Sequence, residues 1–307
     1  MRIHLDTDLG SDTDDFCALA MLLGWPGVEL TGLTTSSDPG GQRAGFVHYA
    51  LRRAGRPDVR VAPGAEGSLG GFALSPITIP DYWPEPILPR PAPPGVALEL
   101  LAASCELGAT VVAVGPYTNL AMLETSRPGL LASTRVVVMG GHVPPVPPGL
   151  PPWGVLDDFN VQQDAVAAKV VFEQCEPVVV PLAVSLQVAL RRSHLEPLRK
   201  AGPLAHLLAD QGEMHARDHG RTELGRRHEG LPNDLLNFQY DPLACAVAAG
   251  WDGVTIEDIP CALEMRDGLL HMEQREDAPP LRVVTEVDGE RFEETWLDAV
   301  VRASSGA

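Results

Sequence analysis

Arg2-Ile-His-Leu-Asp-Thr-Asp-Leu-Gly-Ser-Asp-Thr-Asp-Asp-Phe-Cys-Ala-Leu-Ala-Met-Leu-Leu23 decides how the rest of the chain is read. Arg2 to Asp6 is a short β-type run, and Asp15 to Leu23 is an apolar run long enough for a helix. Between them, Asp6 to Asp15 holds five aspartates in ten residues, where an overall acidic content of 41 in 307 predicts about one. Two carboxylates about 4 Å apart repel by about 4 kcal/mol at an effective dielectric of 20, so converging ones must be protonated, splayed or neutralised. A hard divalent cation is the economical neutraliser, because it takes oxygen ligands and needs neither Cys nor His. The loop lacks the EF-hand spacing to a bidentate glutamate. Asp12 or Asp14 as a cap of the following helix is the alternative, worth about 0.3–1 kcal/mol, and it accounts for one or two aspartates rather than five.

Outward from this segment the strand and helix runs keep alternating. Strands are expected at Val28 to Thr34, Val59 to Ala62, Thr110 to Val114, Arg135 to Met139 and Pro177 to Val184. Helices are expected at Gln42 to Ala54, Ala97 to Leu107, Asn119 to Glu124 and Gln163 to Gln174. That order predicts an α/β fold, a mainly parallel twisted sheet with helices on both faces and a ligand site at the C-terminal strand ends. The Pro/Gly-rich stretches Pro63 to Pro94 and Val143 to Pro152 follow strands, as binding loops or plain surface loops. His194 to His219 reads as polar helix, Gly220 to Asn237 as irregular, and Pro242 to Ala249 as apolar helix. Val254 to Trp296 reads as added strands, closed by a helix over Glu294 to Ala303. Neither a repeat nor a linker divides the chain, so one domain over residues 1–307 is expected.

With 45% hydrophobic and 21% charged residues, disorder is excluded. A formal charge of -18 repels phosphate backbones and anionic lipid, which argues against nucleic acid and membrane and favours a cation or a neutral small molecule. The five cysteines are scattered without a CxxC pair and read as reduced core thiols. The N-terminus enters a strand without a basic region or an apolar signal core, and no apolar stretch reaches membrane-helix length, so a cytoplasmic protein is expected.

The first segment resembles the N-terminal signature of the inosine-uridine preferring nucleoside hydrolases, D-x-D-x-G followed by an Asp-Asp pair and an apolar helix. Val112-Ala-Val-Gly-Pro-Tyr-Thr-Asn-Leu-Ala121 is similar to that family's turn ending T-N-[IL]-A, and Val136-Val-Val-Met-Gly-Gly141 to its central V-x-M-G-G strand. Asp158-Phe-Asn160 resembles its [ED]-F-N segment, and Asp241-Pro-Leu-Ala244 its late D-P-x-A helix start. The resemblance implies hydrolysis of a ribonucleoside, or a related ribosyl compound, to ribose and free base, in nucleoside catabolism and base salvage. One Ca2+ would bind the ribose 2′ and 3′ hydroxyls and the attacking water. Carried over, its ligands are Asp8, Asp15, Asp241 and the backbone carbonyl of Val114, with Asp8 as general base. Asp14, Asp158 and Asn160 match ribose-holding positions, and Met139 a residue beneath the sugar. Asn160 also reads as a helix cap, Met139 as ordinary core, and Asn119 as a cap or turn residue. Family members are commonly dimers or tetramers, which implies a homo-oligomer.

The chain also departs from the pattern. Gly10-Ser-Asp-Thr-Asp-Asp15 is two residues longer than the usual G-x-D-D, which makes Asp12 supernumerary, either at the ribose or in the metal shell. The family's ribose-binding Asn after the second strand falls near Asp38. Tyr240 stands where many members carry a His that protonates the departing base, and Pro63 to Pro94 holds no His. With a reference pKa near 10, Tyr240 is a donor of modest acidity. His215 and His219, four apart on a helix, and His228 beside Arg221, Arg226 and Arg227 are alternative acids, or else a solvated face. Two other functions compete. A haloacid dehalogenase-type phosphatase also begins with strand and D-x-D, but it resembles a family needing a positioned Lys, and this chain has only Lys169 and Lys200, both on expected helices. A calcium-dependent ribose or nucleoside binding protein would keep the metal set and lack the acid.

Overall fold

A computed structural model describes residues 1–71, 78–143 and 145–305. The first half of the chain runs β1 (Arg2–Thr7), α1 (Asp14–Gly24), β2 (Glu29–Thr35), α2 (Gln42–Arg53), β3 (Val61–Pro63), α3 (Val96–Glu106), β4 (Thr110–Ala113), α4 (Thr118–Ser126) and β5 (Val136–Met139). It continues through α5 (Phe159–Gln163), α6 (Ala165–Gln174), β6 (Val178–Val180), α7 (Leu182–Ser185), β7 (Ala189–Arg191), α8 (Leu195–Ala201), α9 (Pro203–Asp218) and α10 (Arg221–Arg227). The last elements are β8 (Leu235–Phe238), α11 (Tyr240–Ala248), β9 (Val254–Arg266), β10 (Leu269–Gln274), β11 (Pro280–Val287) and α12 (Gly289–Ser305).

The central sheet has the strand order β10-β9-β11-β6-β5-β4-β1-β2-β3. From β11 to β3 every pairing is parallel, while β9 joins β11, and β10 joins β9, antiparallel. The inner strands β4, β5 and β6 are runs of Val and Ala buried along their whole length, as strands covered on both faces must be. Successive side chains point to opposite faces. Ile3, Leu5, Val112, Val137 and Val178 meet α1, α2, α9, α11 and α12, whereas Val111, Ala113, Val136, Val138 and Val179 meet α3, α4 and α6.

The chain leaves β1 toward β2 and β3 and later returns to β4 on the other side of β1. The order therefore reverses between β1 and β4, which is where an open α/β sheet leaves a crevice at its carboxyl ends. Two glycines make the local packing possible. Gly10 has φ +127°, and the Phe46 ring lies 2.5 Å from where its Cβ would stand. At Gly24 a Cβ would sit 1.9 Å from the Ala299 carbonyl, so α1 and α12 cross with backbones in contact.

Some expected elements differ. Pro177 to Val184 is a strand only over Val178–Val180, because Pro181 offers no N–H to extend the ladder and α7 starts after it. The expected helix from His194 to His219 divides at Gly202, which has φ +146°. Gly220 to Asn237, expected irregular, contains α10 and most of β8, whose antiparallel partner β7 forms a separate two-stranded sheet. Residues 72–77 of the Pro63 to Pro94 stretch and residue 144 of the Val143 to Pro152 stretch lie outside the described residues. All five cysteines are free and buried, and no described helix is long and apolar enough to cross a membrane.

Candidate functional site

A cavity of about 480 Å³ opens at the switch point between β1 and β4. That is ample for one small-molecule ligand. Its floor is acidic. Asp8 follows β1, Val114 follows β4, Met139 ends β5, and the N-terminal turns of α1 and α11 bring Asp14, Asp15 and Asp241. Carboxylates at helix N-termini sit favourably against the helix dipole. Oxygens of Asp14, Asp15 and Asp241 lie within 4.8 Å of one another, and all three residues are buried.

Such a group is unsatisfied by itself. Burial, then the charges of Asp12 and Asp15, push the Asp14 carboxyl well above its ordinary range. Burial and Asp8 do the same to Asp15. Asp241 is raised by burial, then by Asp14, Asp15 and Asp8. The donor set is all oxygen and three to four charges deep, so it could hold one hard divalent cation, which would remove both penalties. Asp15 is itself oriented by the Thr7 hydroxyl and by the Asp8 amide at 3.1 Å.

Asp8 borders this triplet but also faces Arg43, whose Nη2 lies 3.4 Å from its Oδ2. Arg43 is fully buried on α2 and donates to the Ser37 carbonyl and the Ser11 hydroxyl, both at 2.9 Å. Burial raises the Asp8 carboxyl and Arg43 opposes that rise. Above the floor, Asn160 donates to the Val114 carbonyl at 2.7 Å and the Met139 carbonyl at 3.2 Å. Asp158 accepts from the Gly141 amide at 2.8 Å, and burial pushes its carboxyl up to about 7.

The opposite wall is aromatic and basic, made of Trp153, Tyr240, His215, His219 and Arg221. The His215 and His219 rings stack with centroids 4.2 Å apart. Burial pushes the Tyr240 hydroxyl well above 10, so it stays protonated and able to donate. Asp12 lies at this wall, 3.5 Å from His215 Nε2 and 3.8 Å from Arg221 Nη2. Burial works to raise Asp12, but His215, Arg221 and the Asn237 amide together hold its carboxyl below the ordinary range. Thr78 and Pro80 of the Pro63 to Pro94 stretch complete the lining. Trp83 anchors that stretch by stacking on Phe46 with centroids 4.7 Å apart.

The structure thus brings Asp8, Asp12, Asp14, Asp15, Val114, Met139, Asp158, Asn160, His219, Tyr240 and Asp241 to one cavity. Two expected residues are placed elsewhere. Asp38 is fully buried and accepts from the Arg43 amide at 2.6 Å and the Ala44 amide at 3.1 Å, so its carboxylate holds the start of α2 rather than a sugar. His228 bonds through Nδ1 to the Leu224 carbonyl at 3.1 Å and does not line the cavity. Asn119 ties Asp6, the Thr35 carbonyl and the Ala65 amide together beneath the site, a structural part. Arg43, Ser11, Trp153 and Asn237 had no signal in the sequence, since each stands alone in its segment and is brought in only by tertiary packing.

Residues 3–294 match the family of inosine-uridine preferring nucleoside hydrolases, nearly the whole chain. This chain belongs to that family. The pyrimidine-specific ribonucleoside hydrolase RihA of Salmonella agona (strain SL483) is 32% identical over 227 residues, covering 68% of this chain and 70% of RihA. RihA of Salmonella schwarzengrund (strain CVM19633) is 33% identical over 229 residues, with the same coverage. Among solved structures, a purine-preferring ribonucleoside hydrolase from Gardnerella vaginalis superposes with a TM-score of 0.79 at 21% identity over 100% of both chains. The plant nucleoside hydrolase PpNRh1 superposes at 0.78 with 20% identity over 98% of each chain. These two likenesses establish the nucleoside hydrolase fold. The chain is a hydrolase of N-glycosidic bonds in ribonucleosides, and the phosphatase alternative falls with the family assignment.

Proposed function

We propose that this nucleoside hydrolase works with calcium, through Asp8, Asp15, Asp241 and the Val114 carbonyl, with Asp14 beside them. The observation that carries the reading is the convergence of the Asp14, Asp15 and Asp241 oxygens within 4.8 Å at the strand ends, next to Asp8. When bound, the ion supplies the charge that holds a vicinal diol and acidifies a neighbouring water. Asp8 takes the proton of that water, and Arg43 holds the Asp8 carboxylate in place. Asp14, Asp158 and Asn160 hold the ribose hydroxyls, and Met139 packs beneath the sugar ring. The sugar gains oxocarbenium character as the bond to the base lengthens, and the ring of carboxylates stabilises it.

Tyr240 and His219 face the departing base from the opposite wall, Tyr240 as a donor. Residues 1–307 act as one catalytic domain in this reading, in a cytoplasmic homo-oligomer. The test is release of reducing sugar from purine and pyrimidine ribonucleosides, with calcium and then with EDTA. Release that EDTA stops and calcium restores supports the proposal. Release indifferent to EDTA overturns the calcium assignment.

A further inference from the structure

Asp12 is the residue that the longer loop adds, and it stands between the acidic floor, where its charge helps to raise Asp14, and the basic wall, where its other contacts lie. Its Oδ1 accepts from the Thr13 amide at 2.5 Å, the Asp14 amide at 3.3 Å and the Asn237 side chain. Its Oδ2 lies 3.5 Å from His215 Nε2 and 3.8 Å from Arg221 Nη2. Both partners line the cavity and both are left incomplete. His215 is 1% exposed, and neither ring nitrogen has a hydrogen bond; the 3.5 Å approach to Asp12 has ion-pair distance without hydrogen-bond geometry. The Nε of Arg221 is likewise buried and unpartnered. The Arg221 guanidinium lies over Trp153, 5.8 Å from the ring centroid, and over Phe238 at 5.4 Å, which fixes its plane. Buried polar atoms without partners are uncommon, and three of them on two side chains that line one cavity wall mark a place where a polar ligand sits.

We infer that Asp12 is a positioning residue that aims Arg221 and His215 at the departing base, and that Arg221 supplies the leaving-group stabilisation for which Tyr240 is a weak substitute. The inference rests on the hydrolase reading of the same cavity. As water adds to C1′ the C1′–N bond breaks, and its electron pair goes to the base. Asp8 takes the proton of the water, Arg221 donates a hydrogen bond to the base atom that gains charge, and the base then draws its proton from solvent. No proton leaves Arg221, which stays charged throughout. Burial holds His215 down to about 4, so it is neutral and Arg221 carries the charge of this pair.

The experiment compares two leaving groups. A ribonucleoside needs help to release its base, whereas p-nitrophenyl riboside releases a phenolate whose charge spreads into its own nitro group. Asp12→Asn, Arg221→Met and Arg221→Lys are assayed on both. Removal of one well-aimed donor costs on the order of 10²-fold. Arg221→Met is therefore expected to lose about 10²-fold in kcat on the ribonucleoside and at least about tenfold less than that on the p-nitrophenyl riboside, with Arg221→Lys in between. Asp12→Asn, of unchanged shape, is expected to lose roughly tenfold on the ribonucleoside, in kcat more than KM, and less on the aryl riboside. Equal losses on both substrates would place Asp12 at the metal or sugar and overturn the inference, and so would no loss on either. Aryl-riboside turnover reports that each variant is folded. A wild-type protein that hydrolyses neither substrate would sink the underlying reading and this inference together, whereas a working wild type with uniform losses sinks the inference alone.

Discussion

The floor and the far wall of the cavity are built by opposite means. The floor comes from the first turns after strands and the first turns of helices, and its carboxylates are pushed up by burial and by one another. The wall comes from α9, α10, the start of α11 and the Trp153 loop, and Asp12 beside it is held low by His215, Arg221 and the Asn237 amide. Like charges concentrated in one place need a cation from outside, while the wall carries its own counter-charges. In the proposed reading, this difference assigns the chemistry common to any ribonucleoside to the floor and the handling of the particular base to the wall.

The largest effects fall on the floor. Asp8→Ala and Asp241→Ala are each expected to lower kcat by about 10³-fold or more on both kinds of leaving group, because they remove the base or a cation ligand. Uniform loss measured by sugar release marks a floor residue, and retained activity in either variant would dissolve the distinction. A 2′-deoxynucleoside is expected to react about 10²-fold or more slowly than its ribonucleoside, since groups that pair with the missing hydroxyl are left unpaired. Equal rates would show that the floor does not read the diol.

The floor was legible because its residues fall in short contiguous segments. Asp8, Asp14 and Asp15 share one loop whose density of aspartates pointed to a cation, and Asp158, Asn160 and Asp241 lie in short motifs that the family resemblance singled out. The parallel sheet was legible for a similar reason, from runs such as Val136–Met139 that only a doubly covered strand tolerates. The wall was not. Arg221 gains its meaning from Asp12 more than two hundred positions earlier, and Trp153 from the ring of Phe238, 5.2 Å away. Asp38 went to the start of α2 because amides at Arg43 and Ala44 lie within its reach, a local demand that competes with any ligand.

Arg43 sharpens the comparison in terms of stability. It is a fully buried cation beside the floor, and breaking such a pair leaves Asp8 buried without its partner. Arg43→Met is expected to cost about 3–5 kcal/mol in a urea melt of the metal-free protein. A cost below about 1 kcal/mol would show that Asp8 does not depend on it. The smallest effect is on pH. Burial and then Arg60 hold His4, on β1, at about 3, and burial and then Arg191 hold His194 at about 4. The unfolded chain takes up these protons below the ordinary value near 6.5 and the folded chain does not, so the contribution of these two histidines is full above that value and is lost as pH drops from 6.5 toward 4. The change in urea midpoint from pH 7 to pH 5, compared between the wild type and His194→Gln, checks this: the raised carboxylates act in the opposite direction in both proteins, and the wild type is expected to lose more, or gain less, than the variant.

Calcium titration by calorimetry tests the central claim most directly, in the wild type and in Asp241→Asn. One calcium per chain in the wild type and a binding isotherm weakened by about tenfold or more in Asp241→Asn is the predicted result. A wild type that binds no calcium, or a variant that binds it as tightly as the wild type does, would contradict the assignment of the carboxylate floor to a cation.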